Sequence, residues 1–136
     1  MKTKILAGCI CLFLYSCKVN KVEKYMDGFW IVDSAYYNNE TVEWDLNMNG
    51  FILLKNKTCT LPYNDYIYTD SCMYGKWKVH NDNGIIYLKI KTHNILFNKD
   101  FKINNLKIIK SNNPHFYKCS MELEADSMKL SCTKSF

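Results

Sequence analysis

Apolar residues in this chain recur at every second position, in short runs cut by turn-forming pairs. No window keeps helical spacing over the ~10–12 residues that a helix assignment needs. Val42, Trp44 and Leu46 alternate with Glu43 and Asp45. Cys119, Met121 and Leu123 alternate with Lys118, Ser120 and Glu122, and Met128, Leu130 and Cys132 alternate with Lys129, Ser131 and Thr133. Strand side chains alternate between the two faces of a sheet, so each run has one apolar face to bury. The runs 30–37 and 40–46 flank Asn38-Asn39, and 72–80 and 85–91 flank Asn81-Asp82-Asn83-Gly84. These residue types tolerate the positive φ of a tight hairpin. Further strands are expected at 51–55, 58–61, 95–103 and 106–110, the last two joined by a turn at Asn104-Asn105. The pattern predicts an all-β fold: an antiparallel up-and-down meander of about eight to ten strands. A meander of that number removes its edges by closing on itself into a barrel.

The chain has 136 residues with 48% apolar and 15% aromatic content, too hydrophobic for a disordered polypeptide and of a size for one domain. The net charge is +5, and every one of the 18 basic residues is lysine, since the sequence contains no arginine. Bidentate readout of bases relies on arginine, so a nucleic-acid partner is not expected.

The amino terminus carries Lys2 and Lys4, then a mostly apolar stretch 5–15, then Ser16-Cys17. The apolar stretch has signal-peptide length and is too short to span a bilayer. Leu14-Tyr15-Ser16-Cys17 resembles a bacterial lipobox, with Tyr15 bulkier than the usual residue there. The resemblance implies a lipoprotein signal peptide over 1–16, cleaved before Cys17, whose thiol carries the lipid. Several acyl chains would hold the protein on a membrane firmly where one would not. Residues 17–27 then form a short leader between anchor and domain, and the barrel domain occupies 28–136. Lys18-Val19-Asn20-Lys21 lacks the acidic run that resembles a surface-export signal in Bacteroidetes lipoproteins. This points to an outer-membrane lipoprotein facing the periplasm, with the cell surface as the other location.

With Cys9 and Cys11 lost in the signal peptide, Cys59, Cys72, Cys119 and Cys132 remain beside the anchor. An envelope compartment permits disulfides. A four-residue turn over 124–127 would set Leu123 against Met128, Met121 against Leu130 and Cys119 against Cys132. The expectation is a Cys119–Cys132 cross-strand disulfide, leaving Cys59–Cys72 as the second; the alternative is buried free thiols. No CxxC occurs and His80, His93 and His115 show no ligand spacing with the cysteines, so no metal is expected.

Gly28-Phe29-Trp30 opens the first strand, and Gly75-Lys76-Trp77 opens one in mid-chain, on either side of Leu61-Pro62. The first triplet resembles the G-x-W signature of lipocalin and calycin barrels. The pair resembles small lipocalin-like lipoproteins of Bacteroidetes. The resemblance implies a Trp that plugs one barrel end. Larger lipocalins stack an Arg from the last strand on that Trp; the cations here are Lys134 and Lys129.

Catalytic constellations are absent from the sequence. Glu43 and Asp45 share one strand face, read as solvated opposite Val42, Trp44 and Leu46. No serine sits in a G-x-S-x-G elbow. The expectation is therefore not an enzyme, and one without a cofactor. The first functional reading is a lipid-anchored cell-envelope lipoprotein binding a small hydrophobic ligand, with Trp30, Trp77, Leu88, Phe97 and Phe101 lining its interior. The alternative is a packed barrel acting as a protein-interaction module or as an inhibitor of an envelope enzyme. Its contact would be the tyrosine loop, Tyr63, Tyr66 and Tyr68, with Tyr74 beside it.

Overall fold

A computed structural model describes residues 17–42, 49–62, 70–113 and 116–135. Nine strands follow one another: β1 (Gly28–Tyr37), β2 (Glu40–Thr41), β3 (Gly50–Leu53), β4 (Thr58–Thr60), β5 (Tyr74–Asp82), β6 (Ile85–Thr92), β7 (Asp100–Lys110), β8 (Tyr117–Ala125) and β9 (Met128–Ser135). Every pairing is antiparallel, and β9 returns to β1, so eight strands close into a barrel while β2 extends the edge of β1. Closure removes the row of unpaired backbone groups that an open sheet would present.

The turns follow from their residues. Asn38 and Asn39 both take positive φ (53° and 65°), joining Tyr37 to Glu40. Asn83 (φ 51°) and Gly84 (φ 89°) form the two-residue turn that sets Asp82 against Ile85. Trp77 then faces Ile90 and Val79 faces Leu88, all four buried.

Apart from residues 95–99, which form a loop ahead of β7 and not the start of a strand, three sequence expectations need correction. Asn104-Asn105 is no hairpin turn: it is a bulge inside the single long strand β7, where the pairing with β8 jumps between Asn104 and Lys107. The side chains of Asn104 and Asn105 bond Glu124 and Glu122 of β8. An extra residue reverses the alternation, so Phe101 and Ile103 before it and Leu106 and Ile108 after it all meet the core. The second correction concerns the last hairpin. Its turn has two residues, Asp126 (φ 49°) and Ser127, so Ala125 faces Met128, Leu123 faces Leu130 and Met121 faces Cys132. Cys119 thus lies opposite Lys134, not Cys132. The third is that Cys72 belongs to a helical turn, Asp70–Met73, ahead of β5.

The leader is packed on the barrel instead of standing off it as a spacer. Residues 17–23 are helical, and Met26 is fully buried beneath them. Val19, Val22 and Tyr25 rest against the core, and Tyr25 meets the Tyr117 ring edge-on at 6.2 Å.

Candidate functional site

All five residues expected to line an interior do point inward. Trp30, Leu88, Phe97 and Phe101 are fully buried, Trp77 is 3% exposed, and all belong to one continuous core. Phe97 comes from the loop between β6 and β7 and meets Phe101 at 6.1 Å. These aromatics share one core cluster with the buried aliphatic residues of the strands. The tyrosines Tyr63, Tyr66 and Tyr68, together with Glu43, Asp45 and His115, lie outside the described residues.

The leader end of the barrel is closed by a compact device. The Trp30 indole Nε1 donates to the Met26 carbonyl at 2.7 Å. Lys134, at the end of β9 and 2% exposed, holds its Nζ 4.9 Å from the Trp30 ring centroid. The same ammonium donates to the carbonyls of Tyr25 and Asp27, each at 2.5 Å. One cation thereby satisfies the carbonyls where the leader turns into β1 and covers the face of the plug. Burial pushes the Lys134 pKa down, while the nearby Cys119 and Asp27 hold it up.

The second G-x-W triplet repeats the arrangement nearer solvent. Trp77 Nε1 donates to the Leu54 carbonyl at 2.9 Å, and Lys57 Nζ lies 4.1 Å from its ring centroid. Lys57 also pairs with Glu23 of the leader. Both tryptophans therefore tie the leader to the barrel, one directly and one through a lysine. Sequence reasoning named Lys134 only as one of two cations. It missed Lys57, and it missed the docked leader, although Val19, Val22 and Met26 already stand at helical i, i+3, i+7 spacing.

Among the described residues the cysteines form no disulfide. Cys59, Cys119 and Cys132 are buried free thiols. The true β8–β9 register puts Cys119 and Cys132 on a diagonal, where Cα atoms stand about 7–8 Å apart, beyond the usual reach of a disulfide. Cys59 faces Gly75, with its sulfur against the position a Cβ there would take, and is not joined to Cys72. Burial raises all three thiol pKa values, that of Cys59 from 9.0 to about 11.

Several open grooves mark the outside. One of about 270 Å³ runs over β7, β8, β9 and β1 between Tyr36, Asn104, Glu122 and Lys129. Another, about 390 Å³, lies at the leader end among Tyr25, Ile108, Phe116 and Tyr117. A third, about 520 Å³, adjoins β5 and β6.

The fold and its plugged end define a small, closed, eight-strand antiparallel barrel with a side-chain core. No protein-family model, no curated protein and no solved structure matches the chain.

Proposed function

We propose that the protein is a lipid-anchored lipoprotein of the cell envelope, tethered through Cys17, whose lipocalin-like barrel is a packed scaffold that binds its partner from the outside. One observation carries the choice of the outside. The residues that would line a hollow interior are 3% exposed or less and packed in one core, whereas the grooves described above open on the outside and are lined mainly by partly or fully exposed residues. The barrel then acts as an interaction module, with an envelope protein as its partner and the segment bearing Tyr63, Tyr66 and Tyr68 as one contact. The Trp30–Lys134 plug supports the lipocalin-like reading, because a cation on the first tryptophan is the feature that resemblance implies.

A small hydrophobic ligand is the second reading, favoured by the groove at the leader end. Tyr25, Ile108, Phe116 and Tyr117 supply apolar surface there, and burial of ligand area at about 25 cal/mol per Å² would drive binding.

Native mass spectrometry of protein taken from its own membranes tests these readings together. The expected mass is that of a chain beginning at an acylated Cys17, with no small molecule retained. An unprocessed amino terminus overturns the tether. A stoichiometric apolar ligand, lost on Ile108→Asp, overturns the packed scaffold in favour of the second reading. Cross-linking in the same membranes should capture a protein through the tyrosine-rich segment, and capture unaffected by Ala at Tyr63, Tyr66 and Tyr68 rejects that contact.

A further inference from the structure

The outer faces of β5 and β6 set like charges against each other. Lys76 lies directly opposite Lys91, and Lys78 directly opposite Lys89. Like charges in facing positions destabilise a sheet, and here two such pairs stand side by side. Strands lie about 4.8 Å apart and same-face residues about 6.8 Å apart along a strand, so the four stems rise from one small rectangle. Among the described residues, only Lys89 of the four has an acidic partner, Asp100 at 3.2 Å. Asp100 is shared with His80 at 3.7 Å, and Asp82 lies at the far end of β5.

The rectangle runs into the 520 Å³ groove. Lys76 and Lys91 form its near wall, and Tyr74, 58% exposed, stands at its rim. Thr58, Thr92 and Asn98 supply hydroxyl and amide groups to the same groove. Thr92 Oγ1 donates to the Tyr74 carbonyl at 2.8 Å, which fixes the strand edge that carries the ring. A flat, exposed phenol beside small hydrogen-bonding groups suits a sugar, whose C–H face stacks on a ring while its hydroxyls seek polar partners. Adjacent ammonium groups suit acidic substituents repeated along a chain. The exposed apolar residues nearest this face, Ile85 at the turn end of β6 and Ile95 in the loop after it, do not line the groove, so the groove itself favours a polar ligand and a lipid surface is an outcome of the test.

We propose that the outer face of β5 and β6 binds an acidic glycan, its carboxylate or sulfate groups on Lys76, Lys78, Lys89 and Lys91 and one sugar ring on Tyr74. This site is separate from the barrel interior and does not depend on the tether at Cys17.

The test uses the double variant Lys78→Glu/Lys91→Glu. Each reversal puts a carboxylate opposite a remaining lysine, so thermal stability should hold or rise while binding falls. The probes are heparin for sulfate, polygalacturonate for carboxylate, neutral dextran as the blank and phosphatidylglycerol vesicles for a lipid surface. The protein should bind at least one acidic glycan and not dextran, with affinity lost about 10-fold or more in the double variant. Lys107→Glu/Lys110→Glu changes net charge equally on β7 and should cost less than about 2-fold. Tyr74→Ala should weaken glycan binding by about 5-fold. Which glycan binds identifies the acidic group. Binding to neither glycan above dextran, equal losses in both double variants, or binding to vesicles alone overturns the proposal.

Discussion

The Lys134 ammonium lies over the Trp30 ring while donating to the backbone carbonyls of Tyr25 and Asp27, so one side chain from the last strand locks the first strand to the leader. A buried ammonium is tolerated only when its protons are satisfied, and here two carbonyls and an aromatic face do so. Lys134→Met keeps the apolar stem and removes the charge. It leaves both carbonyls without this donor, at about 1–3 kcal/mol, besides the loss of the cation–π contact, worth ~0.5–2 kcal/mol. Urea unfolding should show the variant about 2–4 kcal/mol less stable, with amide exchange over 17–27 accelerated first. Lys134→Arg, whose planar fork stacks on rings and donates to several acceptors, should stay within about 1 kcal/mol of the parent.

Trp77 and Lys57 repeat that geometry in a wetter setting, which changes the expected energies. The Glu23–Lys57 pair has side chains 31% and 43% exposed, so its loss in Glu23→Gln should cost under ~1 kcal/mol and vanish at high salt. Lys57→Ala also removes the contact with the Trp77 ring and should cost about 1 kcal/mol more than Glu23→Gln in the same urea titration. Equal costs for the two variants would mean that the ring contact contributes nothing.

Gly75 owes its place to crowding. A Cβ there would sit 2.7 Å from the Lys91 carbonyl oxygen and 3.1 Å from Cys59 Sγ. The carbonyl belongs to the β5–β6 ladder and cannot step aside, so Gly75→Ala should destabilise by about 2–3 kcal/mol, as overpacking does. At Gly84 a Cβ meets nothing within 4 Å, and only its φ of +89° opposes a side chain. Gly84→Ala should therefore cost no more than about 1–2 kcal/mol. Thermal melts of the two single variants check the order.

In the β5–β6 hairpin the inward face could be read from sequence but the turn length could not: 81–84 is the turn expected from sequence, Asn83-Gly84 alone form it, and a difference of two residues leaves Trp77 and Val79 facing inward either way. β7 could not be read as one strand, because Asn104-Asn105 suits a turn as well as a bulge. Only the pairing of Asn104 with Glu122 across β8 decides between them. In the last hairpin, alternation put Cys119, Met121, Leu123, Met128, Leu130 and Cys132 on one face correctly. A shift of two residues preserves that face, so the pattern could not separate a two-residue turn from a four-residue one, and the disulfide expectation failed with the register. Lys134 was hidden by its type: a lysine in an alternating run reads as an outward position, and its carbonyl partners come from a segment about a hundred residues earlier in the chain.

Three buried thiols instead of disulfides give the fold a defined weakness toward base. Burial raises the Cys59 pKa from 9.0 to about 11, and it raises those of Cys119 and Cys132 as well. Above pH 9 the unfolded chain releases these protons while the folded chain keeps them. Stability is therefore unaffected below pH 9, falls as pH climbs from 9 to 11, and for Cys59 has lost its full increment of about 3 kcal/mol beyond 11. Lys134 acts with the opposite sign. Its folded pKa is lowered, so the cost of burying its charge disappears as pH rises through that value toward 10.5, which offsets part of the loss. Urea unfolding at pH 7–11 in the presence of a reductant should show a steep alkaline decline. Cys59→Ala should be less stable at pH 7 through its lost packing, yet its decline should be shallower by about 1.4 kcal/mol per pH unit between 9 and 11, the contribution of one proton. At pH 7, alkylation without prior reduction should modify Cys59, Cys119 and Cys132 in denaturant and leave them unmodified in the folded protein. A parallel decline in parent and variant would place the alkaline sensitivity elsewhere than at Cys59.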